Sequence, residues 1–307
     1  MELRHLRYFV AVAEEKNFSR AALRLHISQP PLSRQIQQLE AELGVVLLVH
    51  GSRPLQLTEA GHFFYQHARQ FLAQSMEMAS MTRRIGQIDR SLVMGCVAST
   101  LYGIMPRLIR RFRARYPQVD VTLLEMTTME QLKALKEGTI DIGLGRIRHE
   151  EPGVRRIVLR EEPLMVAMVS DHPLAAQPQL VLRDLQHETL LVYPQTPRPS
   201  FADQVLALFR ERALEPQRII EVRELQMALG LVASGVGISL VPECLHSLHR
   251  QDVLYKPLSE EHLVSPIIMS TRLLDQSEDI QRLLAMIYQL YDEEKIDHIR
   301  PSSQISR

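Results

Sequence analysis

The sequence predicts three parts in order: a mostly helical segment over residues 1–57, one long helix and hinge over 58–90, and a two-lobed α/β module over 91–307. Three observations carry this reading. Apolar residues recur at helical spacing up to Leu43 and then cluster about a short turn. A four-and-three apolar step runs from Phe64 to Ile85. From Ser91 onward, apolar strands alternate with helices.

Leu6, Phe9, Val10 and Ala13 mark the first helix. Phe18 to Leu25 forms a short second one, with Ser19 near its start, and Ile27-Ser28 makes a turn. Leu32, Ile36, Leu39 and Leu43 are the buried stripe of a third helix, which Gly44 ends as a C-cap. Pro30 and Pro31 suit its first turn, where backbone N–H groups lack helical acceptors. Val45 to Leu57 surrounds His50-Gly51-Ser52-Arg53-Pro54 with apolar runs and reads as a β-hairpin wing. Together these elements make a winged helix-turn-helix.

Thr58-Glu59-Ala60-Gly61 opens the long helix. Phe64, Ala68, Phe71, Ser75, Met78, Thr82 and Ile85 form a heptad stripe with several small or polar members. It suits either packing on its own chain or pairing with a second subunit. Pairing is favoured, because no neighbouring sequence supplies a second long helix.

Strands are then expected at 92–97, 119–125, 140–144, 157–159 and 164–169, with helices at about 102–116 and 129–136. A second α/β unit follows: strands at 190–193, 219–222 and 238–241, and helices after Pro199 and over 224–234. A strand at 266–271 and a helix at about 279–291 close the chain. The βαβαβ order implies a parallel sheet. Lobe I takes about 91–162 and 266–300, and lobe II about 163–265. Ligands bind such modules in the cleft at the carboxyl ends of strands. The tail at Pro301-Ser302-Ser303 reads as disordered.

Composition narrows the function classes. Charge sums to zero, which excludes a chain coated in positive charge. It leaves open phosphate binding by one small basic surface. No apolar run has the length of a membrane span, and the N-terminus has no secretory h-region. Cys96 and Cys244 match no metal or redox spacing and read as buried thiols, which suits a reducing, cytoplasmic setting. No metal or cofactor is expected.

Five blocks carry a resemblance: Leu6-Arg7-Tyr8-Phe9-Val10-Ala11-Val12-Ala13-Glu14, Asn17-Phe18-Ser19-Arg20-Ala21-Ala22, Ile27 to Ile36, Leu39 to Gly44, and Leu57-Thr58-Glu59-Ala60-Gly61. In this order and spacing they resemble the LysR-type transcriptional regulators. Ile140-Asp141-Ile142-Gly143-Leu144 and Ala233 to Pro242 extend the likeness to essentially the whole chain. The resemblance implies a periplasmic-binding-protein-like sensor behind the DNA-binding segment. Its DNA contacts would come from Ser28, Gln29, Pro30, Ser33 and Arg34 at the start of the third helix, with Arg53 at the wing tip. Gln can pair adenine, Arg can pair guanine bidentately, and a wing Arg can reach phosphate or the minor groove. Without the resemblance, Gln29 and Arg34 read equally well as a solvated helix face.

Ser99-Thr100-Leu101-Tyr102-Gly103, Glu125-Met126-Thr127-Thr128, Gly145-Arg146-Ile147-Arg148, Pro197-Arg198-Pro199-Ser200-Phe201 and Glu224 to Val232 are similar to the subgroup controlling catechol and benzoate degradation. That subgroup answers to cis,cis-muconate or related carboxylates. The resemblance puts the effector against Ser99, Thr100, Thr128, Arg146, Phe201 and Leu225. Hydroxyls at helix starts suit an anion, and Phe201 and Leu225 would wall an apolar chain or ring. Ser99 also suits an N-cap. Arg146 either counters the effector's charge or bridges to Glu224 across the lobes. Some relatives bind an aromatic acid at a second buried site, here matched by Arg160 and less clearly by Tyr291; Arg160 also reads as an ion-pair partner of Glu161 or Glu162.

The resemblance further implies double-stranded operator DNA and RNA polymerase as partners. It implies a dimer through the 58–88 helix, association into a tetramer, and activation as the usual output. Two other classes share parts of this pattern. An enzyme lacks support, since no nucleophile elbow, phosphate loop or metal-type His/Cys cluster occurs. A solute-binding protein would share the two-lobed fold but would not carry residues 1–60.

Overall fold

The computed structural model describes residues 1–300 apart from 50, 53, 87–89, 261 and 276, and apart from the side chains of 77, 80, 81, 83–86 and 90. The expected wing-tip residue Arg53, the side chain of Ile85 at the end of the stripe, and the 301–303 tail therefore lie outside the described residues. The chain divides into two compact units, Met1–Gly86 and Gln87–Arg307.

The first unit runs α1 (Leu3–Glu15), α2 (Phe18–Arg24), α3 (Gln29–Leu43), β1 (Leu48–Val49), β2 (Gln56–Leu57) and α4 (Glu59–Gly86). Phe9, Val12, Ala21, Leu32, Ile36, Leu39 and Leu47 fill its core. Leu43 was expected in that stripe but is exposed, because α3 ends there and Gly44 turns the chain away at φ 70°. The cap of α2 is Asn17, not Ser19: its Oδ1 accepts from the Arg20 N–H at 3.0 Å. The buried Glu40 carboxylate accepts from the Leu47 and Leu48 N–H groups at 2.7 and 3.1 Å. One side chain on α3 thus fixes the entry to the wing, where β1 and β2 pair antiparallel. A Cβ at Gly61 would lie 2.1 Å from the Leu47 carbonyl oxygen, so glycine permits α4 to start against the wing.

Along α4 the stripe divides. Phe64 meets Phe9 edge-on at 5.1 Å and Ala68 is buried. Phe71 and Met78 are exposed.

The second unit contains β3 (Arg90–Cys96), a 3-10 turn (Ala98–Tyr102), α5 (Met105–Arg115), β4 (Val119–Glu125), α6 (Thr128–Glu137), β5 (Ile142–Gly145) and β6 (Val154–Val169). It continues through β7 (Thr189–Val192), α7 (Phe201–Glu211), β8 (Arg218–Glu221), α8 (Leu225–Ala233), β9 (Ser239–Pro242), β10 (Val253–Pro257), β11 (Val264–Arg272) and α9 (Glu278–Glu293). In lobe I the strand order is β6-β11-β5-β3-β4, with β3 parallel to both β4 and β5. In lobe II, β6 pairs antiparallel with β10 and β9. A parallel bridge from Leu190 to Ile238 adds β7, which pairs with β8. Each lobe has its own core.

The sequence reading differs at three places. The two strands expected at 157–159 and 164–169 are one strand, β6, shared by both sheets. Arg160-Glu161-Glu162-Pro163 read as a break because charges and a proline interrupt the apolar pattern. They mark the point where the strand leaves one sheet for the other. The edge strand β10 was not expected; its Pro257 stands at the strand end, where no ladder donor is missed. The helix expected from Tyr102 starts at Met105, after the 3-10 turn.

Candidate functional site

In the first unit, Ser28 is the N-cap of α3, and Gln29, Pro30 and Arg34 are exposed beside the half-buried Ser33. The Ser19 hydroxyl donates to Gln29 Oε1 at 3.1 Å, fixing that side chain at the helix start. Among the described residues, Arg34 makes no hydrogen bond or ion pair. The structure therefore gathers an exposed donor-and-acceptor face on the first turns of α3, the part of such a helix that meets base edges.

In the second unit, a cleft of about 460 Å³ opens between the lobes, lined by Ser99, Thr128, Arg146, Tyr193, Phe201 and Leu225 among others. The topology explains the set. Arg146 directly follows β5, Tyr193 directly follows β7, and Ser99 follows β3 by three positions. The helices α6, α7 and α8 all begin at the cleft, with Thr127, Ser200 and Glu224 as N-caps. Their free N–H groups and dipoles favour an anion.

Arg146 organises the floor. Its Nε donates to Ser99 Oγ at 2.7 Å, its Nη2 to Glu162 Oε2 at 2.5 Å, and its backbone N–H to Thr128 Oγ1 at 3.2 Å. Arg146 and Glu162 are both buried. Burial opposes the guanidinium's charge, but Glu162 more than restores it, and the Arg146 pKa is raised. The expected bridge from Arg146 to Glu224 is replaced by this pair with Glu162. Glu224 instead caps α8 and is exposed, whereas Glu162 lies on β6, directly under the cleft. The two hydroxyls accept from Arg146, so each keeps its own hydrogen for a bound anion. A Cβ at Gly145 would lie 2.5 Å from Thr128 Oγ1, which is why glycine precedes Arg146.

Three expectations are adjusted. Thr100 does not line the cleft: its hydroxyl donates to the Val97 carbonyl at 2.8 Å, and the residue borders a second cavity. Ser99 lies within the 3-10 turn, whose N-cap is Val97. Thr128 is the first residue of α6, not its cap.

The second cavity holds about 720 Å³ and is lined by Arg160, Glu162, Glu243, Cys244 and Tyr291 among others. Arg160 pairs with Glu243 at 3.6 Å rather than with Glu161 or Glu162; Glu161 is taken up by Arg148, and Glu162, on the same strand face as Arg160, is taken up by Arg146. The Arg160 Nε is buried without a partner among the described residues. Tyr291 is buried and stacks on His298 at 5.5 Å. Glu162 thus belongs to the second cavity while its partner Arg146 belongs to the cleft, and Cys244 N–H holds the other Glu162 oxygen at 3.1 Å. Sequence reasoning missed Glu162, Tyr193 and Cys244 as site residues. The position of Tyr193 at a strand's carboxyl end was the available signal.

A helix-turn-helix unit joined to a two-lobed module with an anion-suited cleft defines a ligand-controlled DNA-binding regulator. The matches agree with this class: residues 3–62 fit the family described as bacterial regulatory helix-turn-helix protein, lysR family, and residues 86–291 fit the LysR substrate binding domain. The chain belongs to the LysR family of transcriptional regulators and is not an enzyme. It is 47% identical to the HTH-type transcriptional regulator BenM of Acinetobacter baylyi, over 95% of this chain and 96% of that one. It is 50% identical to the HTH-type transcriptional regulator CatR of Pseudomonas putida, over 94% and 99%. A crystal structure of full-length BenM matches with TM-score 0.66 at 46% identity, over 98% of this chain and 100% of that one. The BenM effector binding domain with its effector benzoate matches with TM-score 0.66 at 38% identity, over 72% and 100%. Among the described residues no helix is long and apolar enough to cross a membrane.

Proposed function

We propose that this chain is an effector-dependent activator of catechol or benzoate degradation genes. Its effector is cis,cis-muconate or a closely related small carboxylate, held in the cleft between the lobes. The observation that carries the proposal is the floor formed by Arg146 with the Ser99 and Thr128 hydroxyls, facing the starts of three helices. Such a floor takes a carboxylate, while Phe201 and Leu225 cover an apolar chain. Subunits pair through α4, dimers associate into a tetramer, and α3 reads the operator. Effector binding shifts the balance between assembly states and so changes DNA bending and contact with RNA polymerase. The setting is cytoplasmic, and no metal or cofactor is needed.

The test is a thermal-shift titration of the full chain against cis,cis-muconate, benzoate and adipate. A ligand at 100 times its Kd adds about 2.7 kcal/mol of stability. A saturable rise with muconate is expected. A flat response to all three removes this effector.

A second reading concerns the other cavity. The buried, unpartnered Arg160 Nε beside Tyr291 suits the carboxylate of an aromatic acid such as benzoate, acting alongside the cleft effector. Arg160→Met would then abolish a benzoate-induced shift and keep the muconate-induced one. Equal loss of both would sink the two-site reading.

A further inference from the structure

Buried polar atoms nearly always have partners. Among the described residues, two around the cleft floor do not: Arg146 Nη1 and Tyr193 Oη. Both residues line the cleft, and both side chains are more than nine-tenths buried, at 3% and 7% exposure. They occupy equivalent places in the two lobes, each the first residue beyond a strand's carboxyl end, β5 for Arg146 and β7 for Tyr193.

The surroundings of Tyr193 define what it can do. Its ring leans on Phe201 at 5.3 Å, and Arg146, Cys244, Tyr255 and Glu162 act on its hydroxyl electrostatically. Burial pushes the phenol pKa up, so it remains a neutral hydroxyl and a donor. The other Arg146 donors are already engaged, Nε by Ser99 and Nη2 by Glu162. What is left beneath the floor is one cationic donor from lobe I and one hydroxyl donor from lobe II.

We infer that Arg146 Nη1 and Tyr193 Oη together receive the inner carboxylate of the effector, so that Tyr193 is a specificity residue for acidic ligands and couples their binding to the approach of the lobes. This rests on the proposal that the cleft takes a small carboxylate. A carboxylate has several acceptor sites and can take one donor from each lobe at once. An ester, amide or hydrocarbon end cannot match the cationic donor, and an apolar end leaves both donors unpaired at a substantial penalty.

Tyr193 thereby differs from a residue that merely supports the fold. A hydroxyl without a partner contributes nothing to the empty protein, so its removal is neutral or stabilising. The experiment uses the full chain and its Tyr193→Phe variant. Calorimetric titration is run with cis,cis-muconate and with sorbate, a diene of the same carbon count bearing one carboxylate, and the melting temperature of each unliganded chain is recorded. The expected result is an unliganded variant at least as stable as the parent, with muconate and sorbate affinities both weakened roughly 10-fold or more, because each presents one carboxylate to the same pair of donors. An unchanged muconate affinity overturns the inference. So does a destabilised or unfolded variant, because it shows that the hydroxyl was already satisfied within the fold. A parent chain that fails to bind muconate overturns the underlying effector proposal and this inference with it. A parent that binds while the variant binds equally well overturns the inference alone.

Discussion

At the residue scale, the cleft floor depends on the Arg146–Glu162 pair. Both groups are 3% exposed, and removing one partner from a buried pair leaves a charge without compensation, at about 3–5 kcal/mol. Glu162→Ala should therefore lower unfolding free energy by several kcal/mol, read from urea denaturation. A change within ~0.5 kcal/mol, as for an ordinary surface site, would show that the pair does not hold the floor. A pH dependence follows from Cys96 and Cys244, whose thiols burial pushes up to about 12 from about 9. Each folded thiol holds its proton where the unfolded one has lost it. The stability they contribute is full below pH 9 and falls as pH rises from 9 toward 12. Urea midpoints between pH 8 and 10.5 in reductant should decline, and Cys96→Ala should lessen the slope; an unchanged slope would reject the role of Cys96. Ser99, Thr128, Arg146, Phe201 and Leu225 were named through the family resemblance, and the fold gathers all five at one cleft. Thr100 was misplaced, because adjacent residues in a 3-10 turn face different cavities, and no linear pattern reports that. Glu162 was hidden for a related reason: a charge inside a strand shows its partner only when the strand is seen to cross between lobes.

At the element scale, α4 carries the clearest unmet demand. Phe64 and Ala68 pack within the first unit, while Phe71 and Met78 stand exposed on the same stripe. The proposed pairing of subunits through α4 would cover such an exposed apolar stripe at heptad spacing. Replacing Phe71 and Met78 together with Glu should shift sedimentation velocity toward the monomer at micromolar concentration. A variant that keeps the parent's sedimentation coefficient would place the dimer contact elsewhere. The stripe itself was readable from spacing alone, and so were α3, the wing and the βαβαβ start of lobe I. The sequence failed where an element serves two masters. β6 lies in both sheets and carries its polar run at the crossing, so periodicity split it in two. β10 escaped because a short edge strand ending in proline lacks both the length and the alternation that make a strand legible.

At the scale of the whole molecule, the chain separates into Met1–Gly86 and Gln87–Arg307, each with its own core. The cleft is built wholly from the second unit, and the exposed face of α3 wholly from the first. Binding stabilises only the unit whose folded form holds the ligand. Differential scanning calorimetry of the full chain should then show two transitions. Saturating cis,cis-muconate should raise the one belonging to Gln87–Arg307, and operator DNA the one belonging to Met1–Gly86. Arg34→Ala should remove the DNA-dependent shift, because it deletes a cationic donor from the exposed start of α3, and leave the muconate-dependent shift in place. If muconate raises both transitions equally, the two units unfold as one cooperative body, and effector binding would stabilise the DNA-binding unit directly. If Arg34→Ala retains the full DNA-dependent shift, operator contact lies on another part of the first unit.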